Sequence, residues 1–232
     1  NKEEACRYYK MAADKGQIKA IIAYTAMLYT GDGVEMNKEE ACRYYKMAAD
    51  KGQINAMKNY GRMLSNGDGV AMNKEEACRY YKMAADKGEI NAMFDYGNML
   101  SNGEGVEMNK EEACRYYKMA ADKGHIKAIY KYGQLLYTGE GVEMNKEEAC
   151  RYYKMAADKG HIVAMVCYGL SLEIGEGVEM NKEEACRYYK MAADKGQIDA
   201  MNNYGYMLSN GEGVEMNKEE ACRYYKMAAD KG

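Results

Sequence analysis

One block of sequence, NKEEACRYYKMAADKG, occupies residues 1–16 and decides the fold. Identical copies begin at Asn37, Asn73, Asn109, Asn145, Asn181 and Asn217. The segments between them follow the pattern (Q/E/H)-I-x-A-(I/M)-x-x-Y-(G/T)-x-x-L-x-x-G-(D/E)-G-V-x-M. A period of 36 residues is typical of helix-pair repeats, which bury their apolar faces by stacking on neighbours. We therefore predict an all-α solenoid, a single array over residues 1–232 with repeats 1–36, 37–72, 73–108, 109–144, 145–180, 181–216 and a half repeat, 217–232.

The composition excludes several functional classes. The chain has 33 basic and 36 acidic residues and a net charge of −3, which argues against a basic nucleic-acid footprint. The same balance offers no electrostatic reason to bind an anionic membrane. No apolar run reaches the roughly 18 residues of a transmembrane helix, so neither nucleic acid nor membrane is expected as a partner.

Each repeat contains signals for two helices. Asn1 is a good N-cap, and Glu4 stands where a capping box needs it. Gly16 supplies the left-handed residue after the first helix. The second helix should run from about Ile18 to Thr30 and end at Gly31.

The second helix has two different faces when its residues are projected at about 100° each. Repeat positions 20, 21, 24, 25 and 28 share one side and hardly change; in the second repeat they are Ala56, Met57, Tyr60, Gly61 and Leu64. We expect this side to be buried, with Gly61 permitting close approach of two helices. Positions 19, 22, 23, 26 and 30 lie on the opposite side and differ most between repeats.

A uniform scaffold with one variable stripe is the pattern expected of a modular recognition surface. The predicted peptide-binding residues are Asn55, Lys58, Asn59, Arg62, Asn91, Phe94, Asp95, Asn98, Lys127, Tyr130, Lys131, Gln134, Val163, Val166, Cys167, Leu170, Ile174, Asp199, Asn202, Asn203 and Tyr206. The alternative is drift at unconstrained positions. Lys2, Arg7 and Lys10 are also expected to be exposed, yet they do not vary between repeats, and this favours binding. Recent duplication of only the first half of the repeat unit could produce the same pattern.

The motif A-x-x-x-Y-G-x-x-L-x-x-G-x-G-V followed by E-A-C-R-Y-Y-K-M-A-A-D-K-G resembles the Sel-one-like repeat (SLR) family, which is related to tetratricopeptide repeats. The matching residues, from the second repeat onward, are Ala56, Tyr60, Gly61, Leu64, Gly67, Gly69, Val70, Ala77, Tyr81, Ala84, Ala85 and Gly88. The resemblance covers the whole chain. Departures are Tyr80, where the family usually has Trp, and Glu76, where it usually has Lys.

This resemblance implies a right-handed α-superhelix used as an adaptor, with the second helix of each repeat lining the concave face. Some secreted relatives carry two cysteines per repeat in a disulfide. Because the second cysteine is missing here, the resemblance favours a reducing compartment.

No pattern points to catalysis, a cofactor or a metal. The seven cysteines that recur once per repeat should be about 10 Å apart, too far to pair, and are expected to be small buried hydrophobes. Cys167 stands apart on the variable stripe among apolar residues, where a raised pKa is expected. His125 and His161 are interpreted as surface residues too distant to share a metal. No nucleophile–base pair recurs, so we expect a protein that is not an enzyme.

The expected function is to hold an extended peptide or protein segment in the groove. At about 3.3 Å per ligand residue and about 10 Å per repeat, the array would hold roughly 15–18 residues. The fifth repeat, whose stripe is apolar, is the expected anchor, and we expect an apolar ligand residue flanked by acidic ones.

The alternative is a structural or self-assembling protein. The chain closes on a bare first helix from Asn217, whose Tyr224, Tyr225 and Met227 would leave apolar surface there. Either the array is cut from a longer one, natural or synthetic, or its ends stack on one another.

Overall fold

The computed structural model describes residues 1–231; Gly232, the last residue of the predicted half repeat, lies outside the described residues. The described chain is all-α, with thirteen helices and no strand. The first helices of the repeats are α1 (Lys2–Asp14), α3 (Lys38–Asp50), α5 (Lys74–Asp86), α7 (Lys110–Asp122), α9 (Lys146–Asp158), α11 (Lys182–Asp194) and α13 (Lys218–Ala229). The second helices are α2 (Ile18–Thr30), α4 (Ile54–Asn66), α6 (Ile90–Asn102), α8 (Ile126–Thr138), α10 (Ile162–Ile174) and α12 (Ile198–Asn210). The predicted bounds of the second helix are confirmed.

The helices form two compact units. The N-terminal unit comprises residues 1–119 and contains α1 to α6 and most of α7. The C-terminal unit begins at Ala120 and contains α8 to α13. Within each unit, helices that are adjacent in the chain pack on one another. None of the described helices is long and apolar enough to cross a membrane.

The first helices begin as predicted at an asparagine, but the capping box is only half formed. The Asn37 side chain accepts from the Glu40 backbone N–H (2.9 Å). The Asn37 backbone N–H, however, donates to the carbonyl of Leu28 in the preceding helix (2.9 Å). This N–H group is therefore satisfied without the glutamate side chain. The Glu40 carboxylate instead accepts from the Tyr24 hydroxyl and the Lys10 ammonium, both at 3.2 Å. The glutamate therefore links neighbouring helices.

The core is built from alanines and tyrosines. Tyr60 of α4 and Tyr80 of α5 meet edge to face with ring centroids 4.7 Å apart, a favoured geometry for buried aromatic pairs. The same pair recurs at Tyr24–Tyr44, Tyr96–Tyr116, Tyr132–Tyr152, Tyr168–Tyr188 and Tyr204–Tyr224. Each pair joins the second helix of one repeat to the first helix of the next.

Polar contacts between residues 30 positions apart tie successive repeats together. Lys38 pairs with Asp68 at 2.9 Å, and the Tyr80 hydroxyl donates to Asp50 at 2.7 Å. The equivalent ion pairs are Lys2–Asp32, Lys74–Glu104, Lys146–Glu176 and Lys182–Glu212. The equivalent tyrosine contacts are Tyr44–Asp14, Tyr116–Asp86, Tyr188–Asp158 and Tyr224–Asp194. We call the ion pairs the lysine ladder.

Candidate partner-binding surface

The second helices divide into faces as predicted. In α4, Ala56, Met57, Tyr60, Gly61 and Leu64 are all buried. The opposite face, carrying repeat positions 19, 22, 23, 26 and 30, is here called the variable face. The inward face packs on the neighbouring first helices, so the exposed part of each second helix is its variable face.

All predicted binding residues lie on the variable faces, and none is fully buried. The exposed ones are Asn55, Arg62, Asn91, Lys127, Val163, Leu170, Ile174, Asp199, Asn202 and Tyr206. The half-buried ones are Lys58, Asn59, Phe94, Asp95, Asn98, Tyr130, Lys131, Gln134, Val166, Cys167 and Asn203. They belong to α4 and α6 in the N-terminal unit and to α8, α10 and α12 in the C-terminal unit.

The variable faces of α4 and α6 in the N-terminal unit are mostly polar. The Arg62 guanidinium lies over the Tyr29 ring, 5.5 Å from its centroid. Arg62 also borders a pocket of about 310 Å³ between α4 and α6, lined by Arg62, Ser65, Asn66, Tyr81, Asp95, Asn98, Met99 and Glu104. Such a pocket offers donors and acceptors to a polar chain.

Several of the predicted binding residues in this unit already hold partners within the chain, among them Lys58 and Asn98. Lys58 pairs with Glu89 at 3.4 Å, and the Asn98 side-chain oxygen accepts from the Tyr117 hydroxyl at 2.8 Å. A ligand at these positions would have to replace or share those contacts. Arg62 is therefore the more accessible cation on α4.

The variable face of the C-terminal unit is apolar at its centre. Val163, Leu170 and Ile174 of α10 are 44%, 46% and 52% exposed. The opposite side of α10 is apolar as well and is buried. A helix that is apolar all round usually lies in the interior, so the exposed side of α10 is unusually apolar for a surface.

Aromatic side chains border this apolar stripe. Tyr130 of α8 stacks on His161 with ring centroids 4.6 Å apart and lies 6.0 Å from the Tyr153 ring. Cys167 lies beside these rings, and burial raises the pKa of its thiol. The cysteine is therefore a protonated, apolar part of the surface, as expected.

Sequence reasoning missed the tyrosines at repeat position 9 and the residues at position 29. The Tyr117 hydroxyl reaches Asn98 on the variable face, and the Tyr189 hydroxyl donates to Glu173 at 2.7 Å. Tyr137, at the same position as Glu173, donates to Glu176. Position 29 varies between repeats and lies next to the variable stripe in the helical projection. A wider definition of the stripe would have added position 29 to the predicted surface.

The exposed residues that do not vary between repeats hold structural contacts. Lys2 and Lys10 do not vary, but Lys2 pairs with Asp32 at 2.7 Å and Lys10 with Glu40 at 3.2 Å. Arginines equivalent to Arg7, such as Arg79, lie over the neighbouring tyrosine ring. These positions have structural reasons to stay constant, so their constancy does not show that exposed positions resist drift.

The two histidines cap helices. The Nδ1 atoms of His125 and His161 accept from the backbone N–H groups of Ala128 and Ala164, at 3.1 and 3.2 Å. Both histidines are half-buried, and their role as helix caps was not predicted. In residues 1–231, no group of three or more His, Cys, Asp or Glu side chains is placed to hold a metal ion.

The recurring cysteines are mostly packed inside. Cys6, Cys42, Cys78, Cys114, Cys150 and Cys186 are buried, whereas Cys222 on α13 is exposed. Desolvation raises the pKa of Cys42 and Cys78 to about 11. All eight cysteines are free thiols, and the buried ones serve as small hydrophobes.

The fold and the surface together define a class: an all-α helix-pair repeat solenoid in which each second helix has one buried face that is nearly constant between repeats and one exposed face that varies. The Sel1 repeat family model matches residues 1–17, 21–53, 54–89, 90–125, 126–161, 164–197 and 198–232. The chain therefore belongs to the Sel1 repeat family. Proteins of this family are generally protein-interaction scaffolds and generally non-catalytic.

Solved structures agree with this assignment. A protective antigen of uropathogenic Escherichia coli that displays an SLR fold superposes with a TM-score of 0.94 at 26% identity, over 98% of this chain and 49% of that one. This chain thus spans about half the length of that antigen. A Sel1 repeat protein from Oxalobacter formigenes gives a TM-score of 0.80 at 30% identity, over 93% of this chain and 89% of that one.

A third structure resembles the chain in fold alone. It is an immunity protein from Pseudomonas aeruginosa, with a TM-score of 0.52 at 19% identity, over 92% of this chain and 82% of that one. A comparison with curated proteins found no match.

Proposed function

We propose that this protein is a scaffold that holds an extended segment of another protein against the variable faces of its second helices. The observation that carries the proposal is the exposed apolar stripe of Val163, Leu170 and Ile174 on α10. Exposed apolar side chains are common singly, but a contiguous stripe rimmed by polar residues marks an interaction site. We assign this stripe the role of anchor.

The dimensions suit an extended ligand. Each compact unit has three second helices, spaced by about 10 Å, and an extended chain advances about 3.3 Å per residue. One unit therefore accommodates a segment of roughly nine residues. Amide side chains on the variable faces, such as Asn91, Asn202 and Asn203, can both donate to and accept from a peptide backbone.

The two units suit different ligand residues. Arg62 and the polar pocket of the N-terminal unit favour a charged or hydrogen-bonding side chain. The α10 stripe favours an aliphatic or aromatic one. The polar pocket beside Arg62 is proposed as a binding site of the N-terminal unit, and the α10 stripe is proposed as a binding site of the C-terminal unit.

The test is a peptide-display selection on the wild-type protein and on a variant with Val163→Asp and Leu170→Asp. Wild type should enrich sequences that share an apolar residue, and the variant should bind them at least 10-fold more weakly, because each aspartate would be desolvated against the ligand. Circular dichroism should show unchanged helix content, because both side chains are about half exposed.

The matched control is Met155→Asp, which places the same charge at a 45% exposed apolar position on α9, outside the variable face. It should retain the selected peptides. Selection of no common sequence by wild type would favour drift over recognition, and equal binding by the double variant would remove α10 as the anchor.

End-to-end association is a second candidate, favoured by apolar surface on α1 and α13. Tyr8 on α1 and Tyr225 on α13 are exposed, whereas the equivalent Tyr44 and Tyr189 are buried inside their units. Light scattering over a concentration series should then show growing particle mass. A particle mass that stays at the monomer value would exclude end-to-end association and leave the scaffold as the single proposed function.

A further inference from the structure

The charged residues on the variable face of the C-terminal unit have a definite order. On α8, Lys127 is exposed, and Lys131 donates only to the neutral Gln134 side chain, at 3.2 Å. On α10 the face is apolar. On α12, Asp199 is exposed and accepts from the neutral Gln197 amide at 2.8 Å. Positive, apolar and negative surfaces therefore follow one another across the unit.

The other charged groups near α10 hold partners within the chain. Glu176 accepts from Lys146 and from the Tyr137 hydroxyl. Lys182 pairs with Glu212 at 2.7 Å and also lies near Glu173. Within residues 1–231, none of Lys127, Lys131 and Asp199 forms an ion pair, so these three residues set the polarity that a ligand meets.

The ligand needs a matching order of charges. From these observations we infer that the C-terminal unit recognises a charge-polarised segment of a partner protein, with acidic residues over α8, an aliphatic residue on α10 and a basic residue over α12. The inference rests on the proposed function and sharpens it, because a central apolar residue with acids on both sides would place one acid against Asp199. Like charges facing each other at an interface disfavour the wrong partner.

The spacing within the ligand follows from the fold. Second helices about 10 Å apart and a rise of about 3.3 Å per extended residue place the charged groups about three residues on either side of the aliphatic one. The order of charges is independent of the chain direction of the ligand, since either direction can present an acid to α8 and a base to α12.

The experiment uses three fluorescent peptides of equal length with a central leucine and two charged residues about three positions away on each side. Their flanks are acidic and basic, acidic on both sides, or basic on both sides. Binding is measured by anisotropy at low salt to the full chain, to Asp199→Lys and to Lys127→Glu/Lys131→Glu.

We expect wild type to prefer the mixed peptide by about five-fold, the size of one favourable exposed pair. Asp199→Lys should prefer the doubly acidic peptide, and Lys127→Glu/Lys131→Glu the doubly basic one. All preferences should shrink in high salt, because exposed charges are screened. Circular dichroism checks that both variants are folded.

Two failures are distinguishable. If the leucine peptides bind but their ranking is the same for wild type and both variants, the charge order is wrong and the anchor survives. If replacing the central leucine by serine leaves binding unchanged, or if no peptide binds wild type, the proposed function of the α10 stripe fails as well.

Discussion

The glycines at repeat position 25 lie where a second helix crosses the next first helix. A Cβ atom built on Gly97 would lie 2.9 Å from the Tyr117 ring, and one on Gly61 would lie 3.2 Å from the Tyr81 ring. Both tyrosines are buried, so they cannot swing away into solvent. Close packing of these two helices therefore requires glycine there.

We predict that Gly97→Ala destabilises the protein. The added methyl group overpacks the Tyr117 contact at a cost of about 1–3 kcal/mol, against a gain of about 1 kcal/mol in helix propensity. The expected net loss is roughly 1 kcal/mol, measured by urea denaturation.

Thr25→Ala is the matched control, because the first repeat already carries a side chain at this position and the change adds no atom. It removes the bond from the Thr25 hydroxyl to the Ile21 carbonyl, and we expect a smaller effect. A Gly97→Ala protein as stable as wild type would show that the Tyr117 ring can shift.

At the scale of helices, the residue before the second helix caps α6, α8, α10 and α12 through its side chain, whereas Gln17 and Gln53 make no such bond before α2 and α4. Gln197 and Glu89 accept from a backbone N–H through a side-chain oxygen, whereas His125 and His161 do so through Nδ1. Only neutral histidine can accept, so the cap that His161 provides to α10 depends on pH.

We predict that α10 loses stabilisation in mild acid. Desolvation, helped by the nearby Lys127, lowers the pKa of His161 in the folded protein. The unfolded chain therefore binds the proton more readily, and the contribution of the cap is present above the unfolded value of about 6.5 and is lost as pH falls through the lower folded value. The midpoint temperature of thermal unfolding should therefore decrease as the pH is lowered from 7.5 to 5.

His161→Gln is the control for this cap, since Gln197 performs the same role through Oε1 at 2.6 Å. The variant should match wild type near pH 7.5 and lose less stability at pH 5. If both proteins respond to pH identically, the His161 cap does not contribute to the acid sensitivity.

For the whole molecule, the lysine ladder makes carboxylate ionisation part of stability. Hydrogen bonds from Lys38, Lys74 and Lys146 lower the pKa values of Asp68, Glu104 and Glu176 respectively. Carboxylates with a lowered folded pKa contribute stability above their ordinary values near 4, and that contribution is lost as pH falls below them.

We therefore predict a gradual fall in the urea midpoint between pH 6 and pH 3. Changing Lys38, Lys74, Lys146 and Lys182 to Gln together should make the fall shallower. The same substitution at four lysines outside the ladder, Lys87, Lys123, Lys159 and Lys195, alters net charge equally and should leave the pH dependence as in wild type. An unchanged slope in the ladder variant would mean that other carboxylates dominate.

The amino-acid sequence alone determined the helices, their bounds and the face that each buries. The reason is physical: cap residues, left-handed glycines and apolar periodicity act within a few residues of each other, and the identical blocks repeat those local signals seven times. The variable faces were predictable for the same reason, because a helical projection needs only the order of residues.

Only the tertiary structure decided how the polar residues are used. Lys2 and Glu40 gain their partners across 30 residues or from neighbouring helices, and the Tyr117 and Tyr189 hydroxyls reach the variable faces through packing. Long side chains can take many partners, and the choice depends on distances between elements that no local pattern specifies. The same applies to the anchor: composition marked α10 as apolar, but its packing determined which apolar side chains remain exposed.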